Sequence, residues 1–215
     1  MALAVKICGL TRETDVDAAV DAGANLVGFV FFPPSPRSIS VARAAELTKR
    51  VPKDVIKVAL SVDADDALLA DITANAGIDM MQFHGSEPPQ RVAEARARYR
   101  LPVMKALAIA GAEDVDRARR YEAVADWLMF DAKPPRSATR PGGNALAFDW
   151  QLIAGESWSK PWLLAGGLTP ENVREAVRVS GAAAIDVSSG VEDEPGIKNA
   201  GKIRQFIVVA KGFEA

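Results

Sequence analysis

Cysteine is nearly missing from this chain, with one residue in 215. A disulfide framework is excluded, and a lone thiol suits a reducing compartment, so the cytoplasm is the expected location. Histidine is equally scarce. His84 is the only one, which argues against a histidine-rich metal site, and no metal is expected. A basic excess is missing too: Lys and Arg number 26 against 28 Asp and Glu, a net charge of −2. That argues against nucleic acid as a partner. No apolar run reaches the roughly 18 residues of a membrane helix, so no membrane partner is expected. The opening MALAVKICGL turns polar too soon for a signal peptide. No linker, charge run or low-complexity stretch marks a boundary, and residues 1–215 read as a single domain with a full core.

What is present alternates between two patterns. Short apolar, β-branched runs at residues 3–7, 25–30, 55–60, 78–83, 103–108, 127–130, 162–165 and 184–187 read as buried strands. Between them lie stretches of helical period, such as Val16, Ala19, Val20 and Gly23, or Val173, Ala176, Val177 and Ser180, or Ile203, Phe206, Ile207 and Ala210. Thr169-Pro170 reads as an N-cap followed by proline at the first helical position. The sixth unit has a long Pro/Gly-rich loop and a short helix near residues 150–154. Continuous apolar strands that alternate with helices imply a parallel sheet covered on both faces. An open doubly wound sheet and a closed (β/α)8 TIM barrel both fit, and the count of eight favours the α/β barrel.

In a barrel the chemistry gathers at the C-terminal strand ends. There the sequence places Cys8-Gly9 after strand 1 and Arg37 in the Pro-rich loop after strand 2. Gln82-Phe83-His84-Gly85 closes strand 4 and Asp131 closes strand 6. Gly166-Gly167-Leu168 follows strand 7. Asp186 lies on strand 8, which ends in Ser188-Ser189-Gly190. The glycines at strands 7 and 8 allow backbone N–H groups to approach an anion, and the serines add hydroxyls; the plainer alternative is two tight turns. Cys8 is either a core residue or, as thiolate, a general base. Lys6 shares its face of the strand and either lowers the thiol's pKa or forms an interior ion pair. Asp131 suits a general acid, because an apolar setting favours the protonated carboxyl, or else an N-cap. Arg37 suits bidentate capture of a carboxylate, or else a solvated loop position. His84 either lines a pocket or bonds a carbonyl.

Taken in order, KICGLT at residues 6–11, GFVF with SPR up to Arg37, QFHG at 82–85, Gly142-Gly143 before Phe148-Asp149-Trp150, LAGGL with Glu171-Asn172-Val173, and DVSSGVE at 186–192 with Pro195-Gly196 and Lys198 resemble the phosphoribosylanthranilate isomerases of tryptophan biosynthesis. The resemblance spans nearly the whole chain. It implies a (β/α)8 barrel that converts N-(5-phosphoribosyl)anthranilate to 1-(2-carboxyphenylamino)-1-deoxyribulose 5-phosphate by an Amadori rearrangement, with no cofactor. It implies Cys8 as base and Asp131 as acid. Arg37 would hold the anthranilate carboxylate, His84 would line the same pocket and Asp186 would touch the substrate. Gly166, Gly167, Ser188, Ser189 and Gly190 would bind the phosphate.

Two features depart from the family pattern. Asn144-Ala145 stands where a further glycine usual to the family would follow Gly143, and strand 3 ends Ala59-Leu60-Ser61-Val62 rather than in glycine-valine-phenylalanine. The competing functions are weaker. Metal-dependent sugar-phosphate epimerases need several His and Asp ligands, and indole-3-glycerol-phosphate synthases use several Lys and Glu residues at strand ends. A non-catalytic phosphate-binding barrel would need none of Cys8, Asp131 and Arg37. No helix shows a continuous exposed apolar face, so a monomer is expected over a homodimer.

Overall fold

The computed structural model describes residues 3–133, 142 and 147–212. Eight parallel strands close into a barrel in sequence order: β1 (Ala4–Cys8), β2 (Leu26–Phe31), β3 (Ile56–Ser61), β4 (Met80–Phe83), β5 (Val103–Ile109), β6 (Trp127–Ala132), β7 (Trp162–Leu164) and β8 (Ala184–Val187). Closure is made by β1 on β8, with Lys6 opposite Asp186. Helices α1 (Glu13–Asp21), α2 (Val41–Thr48), α3 (Asp66–Asn75), α4 (Pro89–Tyr99), α5 (Ala112–Ala118), α6 (Val173–Ser180) and α7 (Ala200–Lys211) cover the outside. Between β6 and β7 the described residues form only a 3-10 turn, Trp150–Leu152. A short antiparallel pair, β9 (Glu192–Glu194) and β10 (Ile197–Lys198), follows β8.

The strands are apolar on both faces because both faces are covered; every residue of β2 is buried. Outward residues such as Val5, Ile7, Val27, Phe29, Leu128 and Phe130 pack under the helices. Inward ones form a separate interior layer rich in methionine, with Met80, Met104 and Met129 beside Leu26, Val58 and Leu163. Unbranched methionine fills the irregular space inside so small a barrel. One layer higher, Cys8, Val30 and Leu60 floor the C-terminal mouth.

The N-terminal strand ends carry polar residues of another kind. Asn25, Asp79 and Asp126 each stand just before an even-numbered strand and accept the first free N–H of the preceding odd one, from Val5, Lys57 and Val103. These stitches satisfy strand ends that would otherwise lack partners.

Two local expectations shift. Thr169 does cap a turn, its hydroxyl accepting from the Glu171 amide. The helix itself starts later, at Val173, with Asn172 as N-cap, so Pro170 stands in the lead-in turn. Strand 6 runs on to Ala132, which makes Asp131 an inward strand residue and leaves no room for the N-cap alternative.

Candidate active site

A cavity of about 780 Å3, partly open to solvent, occupies the C-terminal mouth. Cys8, Arg37, His84, Asp131, Gly166, Gly167, Asp186, Ser188 and Ser189 all line it. Strand pleat explains the convergence. Cys8 and Asp186 follow inward-facing residues by two, and Asp131 points inward because Phe130 is turned outward against Trp158 and Trp162, with ring centroids at 4.7 and 5.3 Å. Gly190 does not line the cavity. Any Cβ there would come within 1.9 Å of the Leu168 carbonyl oxygen, so glycine lets the β8 turn pack on the β7 turn, and among the described residues no backbone carbonyl accepts from its amide. Gly143, Asn144 and Ala145 lie outside the described residues.

Around Cys8 the charges are paired. Lys6 is fully buried and donates to Asp186 Oδ1 at 2.7 Å. This is the interior ion pair, the second of the two roles open to Lys6. Burial pulls the Lys6 ammonium down, but Asp186 and Cys8 together hold it above its ordinary value. Burial pushes the Cys8 thiol up, and Lys6 and Lys198 oppose the rise without reversing it. The two lysines therefore offset burial at the thiol rather than lowering its pKa outright.

Arg37 is buried, with 4% of its surface exposed, which rules out a solvated loop role. Nor is it an open fork. Its Nε and Nη2 already donate to Glu192 Oε1 and Oε2, each at 2.7 Å, and Nη1 makes no hydrogen bond among the described residues. Glu192 also accepts from Lys198 Nζ at 2.6 Å, and Lys198 donates on to the Ser188 carbonyl and hydroxyl. Burial pushes the Glu192 carboxyl up, but Arg37 and Lys198 outweigh it and hold the group below its usual range. Gly9, with φ +77, makes room for Arg37; a Cβ there would lie 2.5 Å from its Cδ.

The opposite wall is sparser. His84 Nε2 lies 3.1 Å from Asp131 Oδ2, so His84 meets a carboxylate rather than a carbonyl. Asp131 Oδ1 accepts from the Ala132 amide. Gly142 and Gly166 crowd the carboxylate, and a Cβ on either would lie 2.9 Å from one of its oxygens. Apolar residues on the lining include Val30, Phe32, Leu60, Val62 and Leu168. Leu60 and Val62 belong to the divergent strand 3 end.

At the turns after β7 and β8, Gly166 and Gly167 have φ of +88 and +62. Among the described residues no backbone carbonyl accepts from the amides of Gly167, Ser188 or Ser189, so these N–H groups remain available to an anion. The Ser188 hydroxyl is spent on the Cys8 carbonyl at 3.1 Å. Sequence reasoning did not assign Glu192, Lys198 or Gln82 to the site, and Lys133, which also lines it, gave no local signal. Among the described residues no group of three or more His, Cys, Asp or Glu side chains is placed to hold a metal ion.

Comparison with known proteins bears on this arrangement. The family model for N-(5′-phosphoribosyl)anthranilate isomerase matches residues 5–209. The N-(5′-phosphoribosyl)anthranilate isomerase of Paramagnetospirillum magneticum is 57% identical over 212 residues, 99% of each chain. The crystal structure of phosphoribosyl anthranilate isomerase from Thermotoga maritima superposes with a TM-score of 0.89 at 36% identity, covering 98% of this chain and all of that one. A further crystal structure, phosphoribosyl anthranilate isomerase in complex with reduced 1-(o-carboxyphenylamino)-1-deoxyribulose 5-phosphate, has a TM-score of 0.83 at 33% identity and covers 98% and 100% of the two chains. With the closed barrel and a cavity whose lining matches the motifs in position, this chain belongs to the phosphoribosylanthranilate isomerase family.

Proposed function

We propose that the mouth cavity converts N-(5-phosphoribosyl)anthranilate to 1-(2-carboxyphenylamino)-1-deoxyribulose 5-phosphate, with Asp131 as general acid and Cys8 as general base. The observation that carries this reading is the convergence of Cys8, Arg37, His84, Asp131 and the β7 and β8 turns on one cavity. Asp131 protonates the furanose ring oxygen, and the C1′–O bond opens to a Schiff base. The Cys8 thiolate removes the C2′ proton, leaving an enolamine. A proton added at C1′ and one lost from the C2′ hydroxyl then give the ketone, with no net proton gained or lost. Each proton-transfer group contributes roughly 10²–10⁴-fold.

The remaining groups bind. The N–H groups of Gly167, Ser188 and Ser189 receive the phosphate, as two glycine turns at the ends of strands 7 and 8 often do. Arg37 takes the anthranilate carboxylate through the donors that Glu192 leaves over. The apolar wall of Phe32, Leu60 and Val62 receives the aromatic ring. Asp186 orients Lys6 and meets the sugar. The family match over residues 5–209 supports one barrel domain for the whole chain. Ile197 and Val208 are the only exposed large hydrophobics among the described residues, which supports a monomer. No described helix is long and apolar enough to cross a membrane, and the single free thiol suits the cytoplasm.

A steady-state assay on freshly made substrate, run with excess chelator, tests the reading. Conversion with competitive inhibition by inorganic phosphate is the expected result. Binding without conversion would leave only a phosphate-binding barrel.

A further inference from the structure

One buried polar side chain is left without a task by this mechanism. Gln82 lies inside β4, fully buried. Its Nε2 is 3.1 Å from His84 Nδ1 and 3.3 Å from Met129 Sδ. Its Oε1 is buried with no hydrogen-bond partner. In a barrel interior that elsewhere uses Met80, Met104 and Met129, an amide with an unmet oxygen is destabilising relative to an apolar residue. What the amide does have is His84, and through it Asp131.

The chain of contacts fixes protons. An amide NH2 only donates, so in this orientation His84 Nδ1 is the acceptor and carries no hydrogen. Neutral His84 then bears its hydrogen on Nε2 and donates it to Asp131 Oδ2, 3.1 Å away. That is the carboxylate form of Asp131, the form left after an acid has given up its proton. The protonated form of the pair needs the reverse. With the amide turned over, Oε1 accepts from Nδ1–H. The pair then holds one proton more, with Nδ1–H bonded to the amide and the other proton between His84 Nε2 and Asp131 Oδ2, on either atom. The turned amide gives Oε1 the donor it now lacks, while Nε2 leaves both Nδ1 and the sulfur.

We propose that Gln82 is a positioning residue that serves the His84–Asp131 pair in both its proton-loaded and its proton-depleted form by turning its amide over. The proposal rests on the reading of Asp131 as the acid. The other charged and titratable groups around the pair are placed as follows. Asp63, Glu87 and Lys105 hold the Gly85 turn behind His84. Cys8, Arg37, Lys133 and Asp186 line the same cavity. Among the described residues, only Asp131 and Gln82 hydrogen-bond the imidazole.

Because His84 is the only histidine, nitrogen-15 histidine labelling gives one imidazole to observe, with no assignment needed. On the alkaline side of the pair's titration the wild-type ring is expected as a single Nε2–H tautomer. In Gln82→Met, a swap of similar volume, Asp131 still accepts from Nε2–H, but Nδ1 loses its donor and its nitrogen-15 resonance should shift toward that of an unbonded ring nitrogen. In the same variant kcat should fall about tenfold or more, part of what a well-placed proton-transfer group supplies, with KM nearly unchanged. Gln82→Glu, whose carboxylate only accepts, should hold the ring with Nδ1 protonated. An Nδ1–H tautomer in alkaline wild-type protein would overturn the proposal without any variant. So would a folded Gln82→Met with an unshifted Nδ1 resonance and full kcat. Full kcat in Asp131→Asn would instead remove the acid reading beneath it, whatever the imidazole shows.

Discussion

Around Cys8, the ends of β1, β2 and β8 and the β9–β10 pair carry three basic side chains and two carboxylates, all buried and mutually bonded. Around Asp131, the ends of β4 and β6 carry an imidazole, an amide and two close glycines. The difference follows from what each side has to hold. A buried thiolate is expensive unless cations stand near it, and free cations in the same place would be expensive in turn. The fold therefore supplies Lys6 and Lys198 with their charges already matched by Asp186 and Glu192. A proton donor needs no such field; it needs a fixed oxygen, and glycine clearance with one ring contact provides that.

Removing the reacting group on either side breaks the comparison most severely. Cys8→Ala and Asp131→Asn are each expected to lower kcat by at least about 10²-fold with little change in KM, the low end for general acid–base groups. Steady-state kinetics check both, and near-normal kcat in one would show that its side of the cavity only binds.

Arg37 comes next. Arg37→Ala should raise KM by the equivalent of roughly 1.5–3 kcal/mol, the range for hydrogen bonds to charged groups. Arg37→Lys should recover little, because it cannot bridge both Glu192 oxygens and still face the substrate. A KM series over the two variants decides it.

The thiol's electrostatics are a subtler test. Since Cys8 is the only cysteine, the ultraviolet absorbance of its thiolate is read against Cys8→Ser without interference from other thiols. Burial raises its pKa, so in the unliganded protein the signal should appear only above the ordinary thiol value of about 8.5. Lys6→Met, which deletes an opposing cation, should push it higher still.

The smallest effect concerns stability. Glu192 is held below the usual carboxylate range. Its contribution is present above the unfolded-state value and is lost as pH falls through the lower, folded-state value. Chemical denaturation between neutral and acid pH should show a shallower decline in Glu192→Gln than in the wild type.

Much of this was legible in the sequence because it is local. Continuous apolar runs marked all eight strands, and a polar residue that interrupts such a run at its end marked Cys8, Asp131 and the glycine turns. Glu192 and Lys198 stood in a quoted motif, yet nothing near them in sequence shows that they fold back onto Arg37, 155 residues away from Glu192. Gln82 reads as one more strand residue until its neighbours across the barrel are known. Gly190 signals a close approach without naming what approaches; across the turn that is the Leu168 carbonyl, which the sequence does not show. Asn25, Asp79 and Asp126 carried a readable sign, a polar residue just ahead of strands 2, 4 and 6, whose meaning depends on register.

Two of the three ion pairs beside Cys8 join residues 180 and 155 positions apart, whereas His84 and Asp131 are separated by 47. During synthesis, then, the acid wall has all its parts while the last strand is still unmade. The base wall has to wait for Asp186 and Glu192 to arrive and for β8 to seal against β1. Such long-range pairing is the slow part of folding. The thiol therefore acquires its neighbouring charges only when the ring of strands is finished, and a nascent or partly closed chain does not hold an assembled site.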